Sequence, residues 1–144
     1  MQQQNSIIAI GSGQLYGKGL NNDEVTSVKN GNFIAEAQTD FIFAVAGEET
    51  GFVGCCVLVV LEFLIALECL LIGRRAKLLS GTLICCGMAA QIFFQTFINI
   101  SVATGLMPNT GITLPFVSYG LTSLVSFCIG IGFVLNVGLQ TRRY

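Results

Sequence analysis

The sequence predicts an all-α membrane protein, a polytopic helix bundle of about three transmembrane helices with a large extracytoplasmic loop. Three observations carry this. Of 144 residues, 53% are hydrophobic and 10% charged, where a soluble domain carries about a quarter charged residues. Residues 78–141 contain no Asp, Glu, Lys or Arg. An uncharged run of that length must be two or more membrane spans with turns between them. The basic residues then sit after the first and third apolar segments, in GRRAK and QTRRY. With a net charge of -1, no basic surface points to nucleic acid as a partner.

The first element is residues 1–49, read as an extracytoplasmic loop region with short helical pieces and an acidic motif. GSGQLYGKGLNNDE, residues 11–24, supplies four glycines and an Asn-Asn-Asp turn signal. GSG and GKG match neither spacing of a phosphate-binding loop. FIAEAQTDFIFAVAGEETGFVG, residues 33–54, gathers Glu36, Asp40, Glu48 and Glu49, half of the eight acidic residues. On composition alone these are the wet edge of a membrane helix or acids held at the surface for chemistry. Glu48 and Glu49 also suit a helix N-terminal dipole.

Residues 50–144 hold the three spans, at about 51–72, 81–104 and 116–139. The first is roughly 33 Å long, enough for a hydrocarbon core of about 30 Å. It contains Glu62 and Glu68, which should face protein or water or lie near an end. Glu68 is close enough in sequence to reach Arg74 or Arg75, and Glu62 reads as a helix-packing residue. In the second span Gln91, Gln95 and Asn99 recur every four residues and share one helix face, expected to hydrogen-bond to other helices. GLMPNTGITLP, residues 105–115, holds both prolines and reads as an external loop. Glycines in the third span allow close helix contact. The six cysteines lie in apolar runs without Cys-x-x-Cys spacing, and there is no histidine. They read as packing residues, with no metal site or disulfide framework.

The positive-inside rule puts GRRAK and the C-terminus in the cytoplasm, and residues 1–49 and the 105–115 loop outside. The N-terminus has neither the basic start nor the apolar core of a signal peptide. About fifty external residues with nothing to carry them across imply the C-terminal piece of a larger polytopic protein.

The motifs resemble the FtsW/RodA/SpoVE (SEDS) family. AIGSGQLYGKGL is similar to the family's extracytoplasmic loop, EAQTDFIFAVAGEETGFVG to the signature around its essential acid, and NISVATGLMPNTGITLPFVSYGLTSL to its second signature. The resemblance runs from residue 7 to residue 143, with departures at Ala35, Gln38, Thr50 and Leu121. Family members are longer, with about ten spans, so the resemblance covers the large loop and the last three spans. It implies a multi-pass protein of the bacterial plasma membrane, acting in cell-wall synthesis during division, elongation or sporulation. The implied activity is a peptidoglycan glycosyltransferase that polymerises lipid II into a lipid-linked glycan strand. The implied partners are a class B penicillin-binding protein, the N-terminal transmembrane helices and membrane lipids. A lipid II flippase and a non-catalytic packing fragment are the competing readings.

The same resemblance makes Asp40 the catalytic residue. A sugar hydroxyl is a poor nucleophile at neutral pH, and a carboxylate within hydrogen-bond reach accepts its proton. Glu36, four residues earlier, would share a helical face with Asp40 and tune it or help hold a cation. The leaving diphosphate calls for positive charge. Lys18 is the better placed of the two external cations, Lys18 and Lys29. A divalent cation is the alternative, with no ligand cluster in the sequence and no cofactor implied. Ser118 and Tyr119 would shape the substrate site from the second external loop.

Overall fold

The computed structural model describes residues 2–17 and 41–142, and these form helices joined by turns. Helix α1 is Gln2–Ser12, α2 Ile42–Arg75, α3 Leu79–Ala103 and α4 Leu121–Arg142. Three helices, Ile42–Arg75, Leu79–Ala103 and Leu121–Thr141, are long and apolar enough to cross a membrane. Residues 76–78 link α2 to α3 in a tight reversal. Residues 104–120 link α3 to α4, so the three long helices alternate in direction.

Helix α2 is two helices in one. Gly51 sits at φ 70°, ψ -168°, a conformation essentially confined to glycine. It separates a short piece, residues 42–50, from a long span, residues 52–75, of roughly 36 Å. The helical piece therefore begins inside the region read from sequence as a loop with short helical pieces, because IFAVA offers no breaker and the single Gly47 is tolerated before Gly51. The other boundary difference is at α4, which starts at residue 121 where 116 was expected. Phe116 has φ 59°. Successive turn bonds, Ser118 N–H to the Leu114 carbonyl at 3.2 Å and Gly120 N–H to the Ser118 carbonyl at 2.9 Å, hold residues 114–120 out of helix.

The middle of the bundle is a packed seam. Ala66 and Cys69 of α2, Cys85, Ala89 and Ile92 of α3, and Phe127 and Val134 of α4 form one buried cluster. Small residues at these positions let the backbones approach, the usual basis of helix packing in lipid. The outward faces carry Phe52, Phe63, Phe93, Phe94, Phe97 and Phe133, all exposed. In water that would be a large apolar patch; in a bilayer it is the solvent-facing surface. Three cysteines, Cys55, Cys69 and Cys85, are buried, whereas Cys56, Cys86 and Cys128 lie on the outer faces.

The polar residues inside the spans follow this packing. On the amide face of α3, Gln91 is exposed, Gln95 half-buried and Asn99 only 1% exposed. Asn99 Nδ2 donates to the Ile112 carbonyl at 2.7 Å and ties the connecting loop to α3. Glu62 is 4% exposed and lies between α2 and α3 beside Thr96. Its Oε2 has no hydrogen-bond partner among the described residues. Glu68 is exposed and lines a cleft together with Arg75.

Candidate functional site

The end of the bundle away from the basic residues gathers α1, the start of α2, the end of α3 and the 104–120 loop. Two buried clusters fasten it. Ala9 of α1 meets Phe41, Ala44 and Val102, and Phe43 meets Cys55 and Ala103. Ser6 Oγ donates to the Ala103 carbonyl at 2.9 Å inside this junction. Gly105, with φ 78°, brings the loop over Ile7. The outer side of α1 shows Ile7 and Ile8, followed by exposed Leu15 and Tyr16, an apolar surface suited to a membrane interface.

A glycine clasp joins the turn after α1 to the break in α2. A Cβ on Gly13 would run into the Gly47 carbonyl, and one on Gly51 would meet the Gly17 nitrogen and the Leu15 carbonyl. The two segments therefore touch backbone to backbone. The contact has a purpose for α2, since the first N–H groups of a helix lack partners within it. Phe52 N–H donates to the Gln14 carbonyl at 2.9 Å and Val53 N–H to the Leu15 carbonyl at 3.3 Å. Residues 14 and 15 thus cap the long span. The sequence signal was present as glycine pairs four residues apart, 13 with 17 and 47 with 51, the small-xxx-small spacing of close helix contact. GSG and GKG draw attention as failed phosphate loops, and their pairing with AGEETG goes unread.

The acids before the span differ from one another. Glu48 is 2% exposed and Glu49 half-buried, and both are engaged in polar or electrostatic contacts. Glu48 is therefore part of the junction rather than its wet edge. Of the residues proposed from sequence for catalysis and substrate binding, Asp40, Glu36 and Lys18 lie outside the described residues, as does Lys29. Ser118 and Tyr119 lie in the turn before α4 and differ in setting. Ser118 is buried and engaged, whereas Tyr119 is 76% exposed. Among the described residues no cluster of His, Cys, Asp or Glu could hold a metal ion.

Comparison with known proteins gives this end of the molecule its context. Residues 1–143 match the family model FTSW_RODA_SPOVE, described as cell cycle protein. Over 141 residues the chain is 38% identical to the "Probable peptidoglycan glycosyltransferase FtsW" of Tolumonas auensis, covering 95% of this chain and 35% of that protein. The protein of the same name from Lactococcus lactis is 37% identical over 142 residues, covering 99% of this chain and 33% of its own. The chain thus spans about a third of the length of the curated relatives it matches. A solved structure described as "Structural coordination of polymerization and crosslinking by a peptidoglycan synthase complex" superposes with a TM-score of 0.74 at 33% identity. That match covers 96% of this chain and 37% of the solved one. With the family model matched over almost its whole length and three apolar spans in the fold, the chain belongs to the FtsW/RodA/SpoVE family of cell cycle proteins.

Proposed function

We propose that the chain forms the C-terminal part of a bacterial peptidoglycan glycosyltransferase that polymerises lipid II, with Asp40 as its general base. The observation that carries this is the match of at least 95% of the chain to relatives named as peptidoglycan glycosyltransferases. On this reading the basic end, with Arg74, Arg75 and Lys77, is cytoplasmic, and the end bearing α1 and the glycine clasp is extracytoplasmic. Asp40 accepts the proton of the acceptor sugar hydroxyl as that oxygen attacks the anomeric carbon of the donor. The bond to the lipid diphosphate breaks with inversion, and Lys18 meets the departing charge; a divalent cation, if bound, would supply the same charge there. Glu36 adjusts the charge around Asp40, and Ser118 and Tyr119 border the acceptor side. A class B penicillin-binding protein is the partner that cross-links the product.

Phe41, which follows Asp40 in the chain, is 0% exposed in the cluster that joins α1, α2 and α3. The test is glycan polymerisation from labelled lipid II in detergent by the full-length protein carrying these residues, beside Asp40→Asn and Asp40→Ala. A fall of about 10²–10⁴-fold in either folded variant is expected for a lost general base. Equal polymer from all three removes Asp40 from the chemistry and favours lipid movement over bond formation.

A further inference from the structure

We propose that the cleft between the start of α3 and the end of α4 binds the headgroup of an anionic phospholipid. This rests on the basic end of the bundle and is independent of the glycosyltransferase reading. The cleft has a volume of about 410 Å³. Its lining is divided by chemistry. Lys77, Ser80, Asn136 and Gln140 supply a cation, a hydroxyl and two amides, whereas Leu78 and Phe133 are apolar. The polar group offers donors to phosphate oxygens, and the lysine supplies the opposite charge. The apolar walls continue along the outer faces, where Ile84 and Phe133 are exposed. A ligand that fits both parts has an anionic head and a hydrocarbon tail. The cleft also lies at the ends of the apolar helices, beside the first turn of α3 and the last turns of α4. Basic pockets between transmembrane helices at that level are suited to lipid headgroups.

A neighbouring cleft makes the selectivity argument sharper. The space on the other side of α4 is larger, about 560 Å³, and is lined by Glu68 and Arg75. A carboxylate lining that space works against a phosphate there. Among the described residues, no acidic one lines the Lys77 cleft. The two clefts share the same end of the bundle and differ in whether a carboxylate lines them, so Arg75 serves as an internal control for a diffuse basic field.

The test is native mass spectrometry of the 144-residue chain after reconstitution in nanodiscs of equal phosphatidylglycerol and phosphatidylcholine. Phosphatidylglycerol adducts should predominate on the native chain. Lys77→Gln should lower the ratio of the two adducts about fivefold, the equivalent of roughly 1 kcal/mol for one cation near a membrane surface. Asn136→Trp fills the cleft from an exposed helix position without changing charge, and should lower the ratio as far. Arg75→Gln should leave it within about twofold. Circular dichroism and elution volume establish that each variant is folded. Equal adducts of both lipids on the native chain overturn the proposal. So does an equal loss in Arg75→Gln and Lys77→Gln, which means a diffuse field rather than a site. Displacement of phosphatidylglycerol by excess inorganic phosphate also overturns it, by making the ligand a soluble anion.

Discussion

Replacing Gly51 by alanine tests the account of the clasp directly. At φ 70° and ψ -168°, a residue with a Cβ is strained by about 1–3 kcal/mol before any contact is considered. The added atom would also collide with the Gly17 nitrogen and approach the Leu15 carbonyl oxygen to 2.7 Å. Both are backbone, so no side chain can swing aside. Relief requires the 13–17 turn to retreat. That retreat loosens the bonds from Phe52 N–H and Val53 N–H to the Gln14 and Leu15 carbonyls, about 0.5–1.5 kcal/mol each. The sum is about 2–6 kcal/mol. By the scaling for soluble proteins of this size it lowers Tm by roughly 10 °C. The assay is thermal unfolding in detergent followed by circular dichroism, with Gly87→Ala as the control. Gly87 is exposed on α3 and a Cβ there meets nothing within 4 Å, so its replacement should be neutral or slightly stabilising. Matching melting curves for Gly51→Ala and Gly87→Ala would refute the reasoning.

Three further outcomes follow from the packing. Glu62→Leu exchanges a buried carboxyl, whose Oε2 lacks a partner, for an apolar group among Val59, Phe63, Phe93 and Phe97. It should stabilise this chain by about 1–3 kcal/mol, and a lowered midpoint in detergent would contradict that. Asn99→Leu removes the bond to the Ile112 carbonyl, should cost about 1–3 kcal/mol, and should speed proteolytic cleavage in the 104–120 loop; unchanged cleavage would show that the loop is held elsewhere. Ser6→Ala deletes the bond to the Ala103 carbonyl and leaves that buried oxygen one donor short, for a loss of about 1 kcal/mol. A midpoint equal to that of the native chain counts against it.

The spans were legible because a bilayer imposes one strong rule, that a crossing segment be a long apolar helix. An uncharged stretch from residue 78 to residue 141 could be resolved only that way, and the Pro-containing break divided it. Asn99 was legible as a packing residue because an amide in lipid seeks a partner. The partner was not, since Ile112 contributes only its backbone carbonyl and any residue would serve. The same blindness hid the clasp. Its contacts are backbone against backbone, with glycine as the permissive absence of a side chain. Periodicity scores what side chains bury, so it reads residues 11–17 as loop. Helix α1 went unnamed because, among its described side chains, Ser6 and Ala9 are the buried ones, too small a stripe to register as amphipathic. The proposed catalytic acid was legible only through the family motif, because a lone Asp before a helix has many ordinary uses.

The clasp bears on that acid in a way the sequence motif alone does not reveal. A general base must keep its oxygen within about 3 Å of the proton it takes. The short helix of residues 42–50 cannot drift along the membrane, since Gly51 turns the chain and the 13–17 segment grips the turn. Its first turn is tied in addition by Phe41, whose carbonyl accepts from Ala44 N–H at 3.0 Å and from Val45 N–H at 3.3 Å. The side chains of Phe41 and Ala44 are buried against Ala9 and Val102. On the proposed reading, a rigid junction of α1, α2 and α3 thus ends one peptide short of the base. Glycine at 13, 17 and 51 allows a backbone approach that a Cβ would block. On the proposed reading, Gly13→Ala in the full-length protein should lower polymerisation although Asp40 itself is unchanged in sequence, and should do so through the turnover rate more than through the apparent affinity for lipid II.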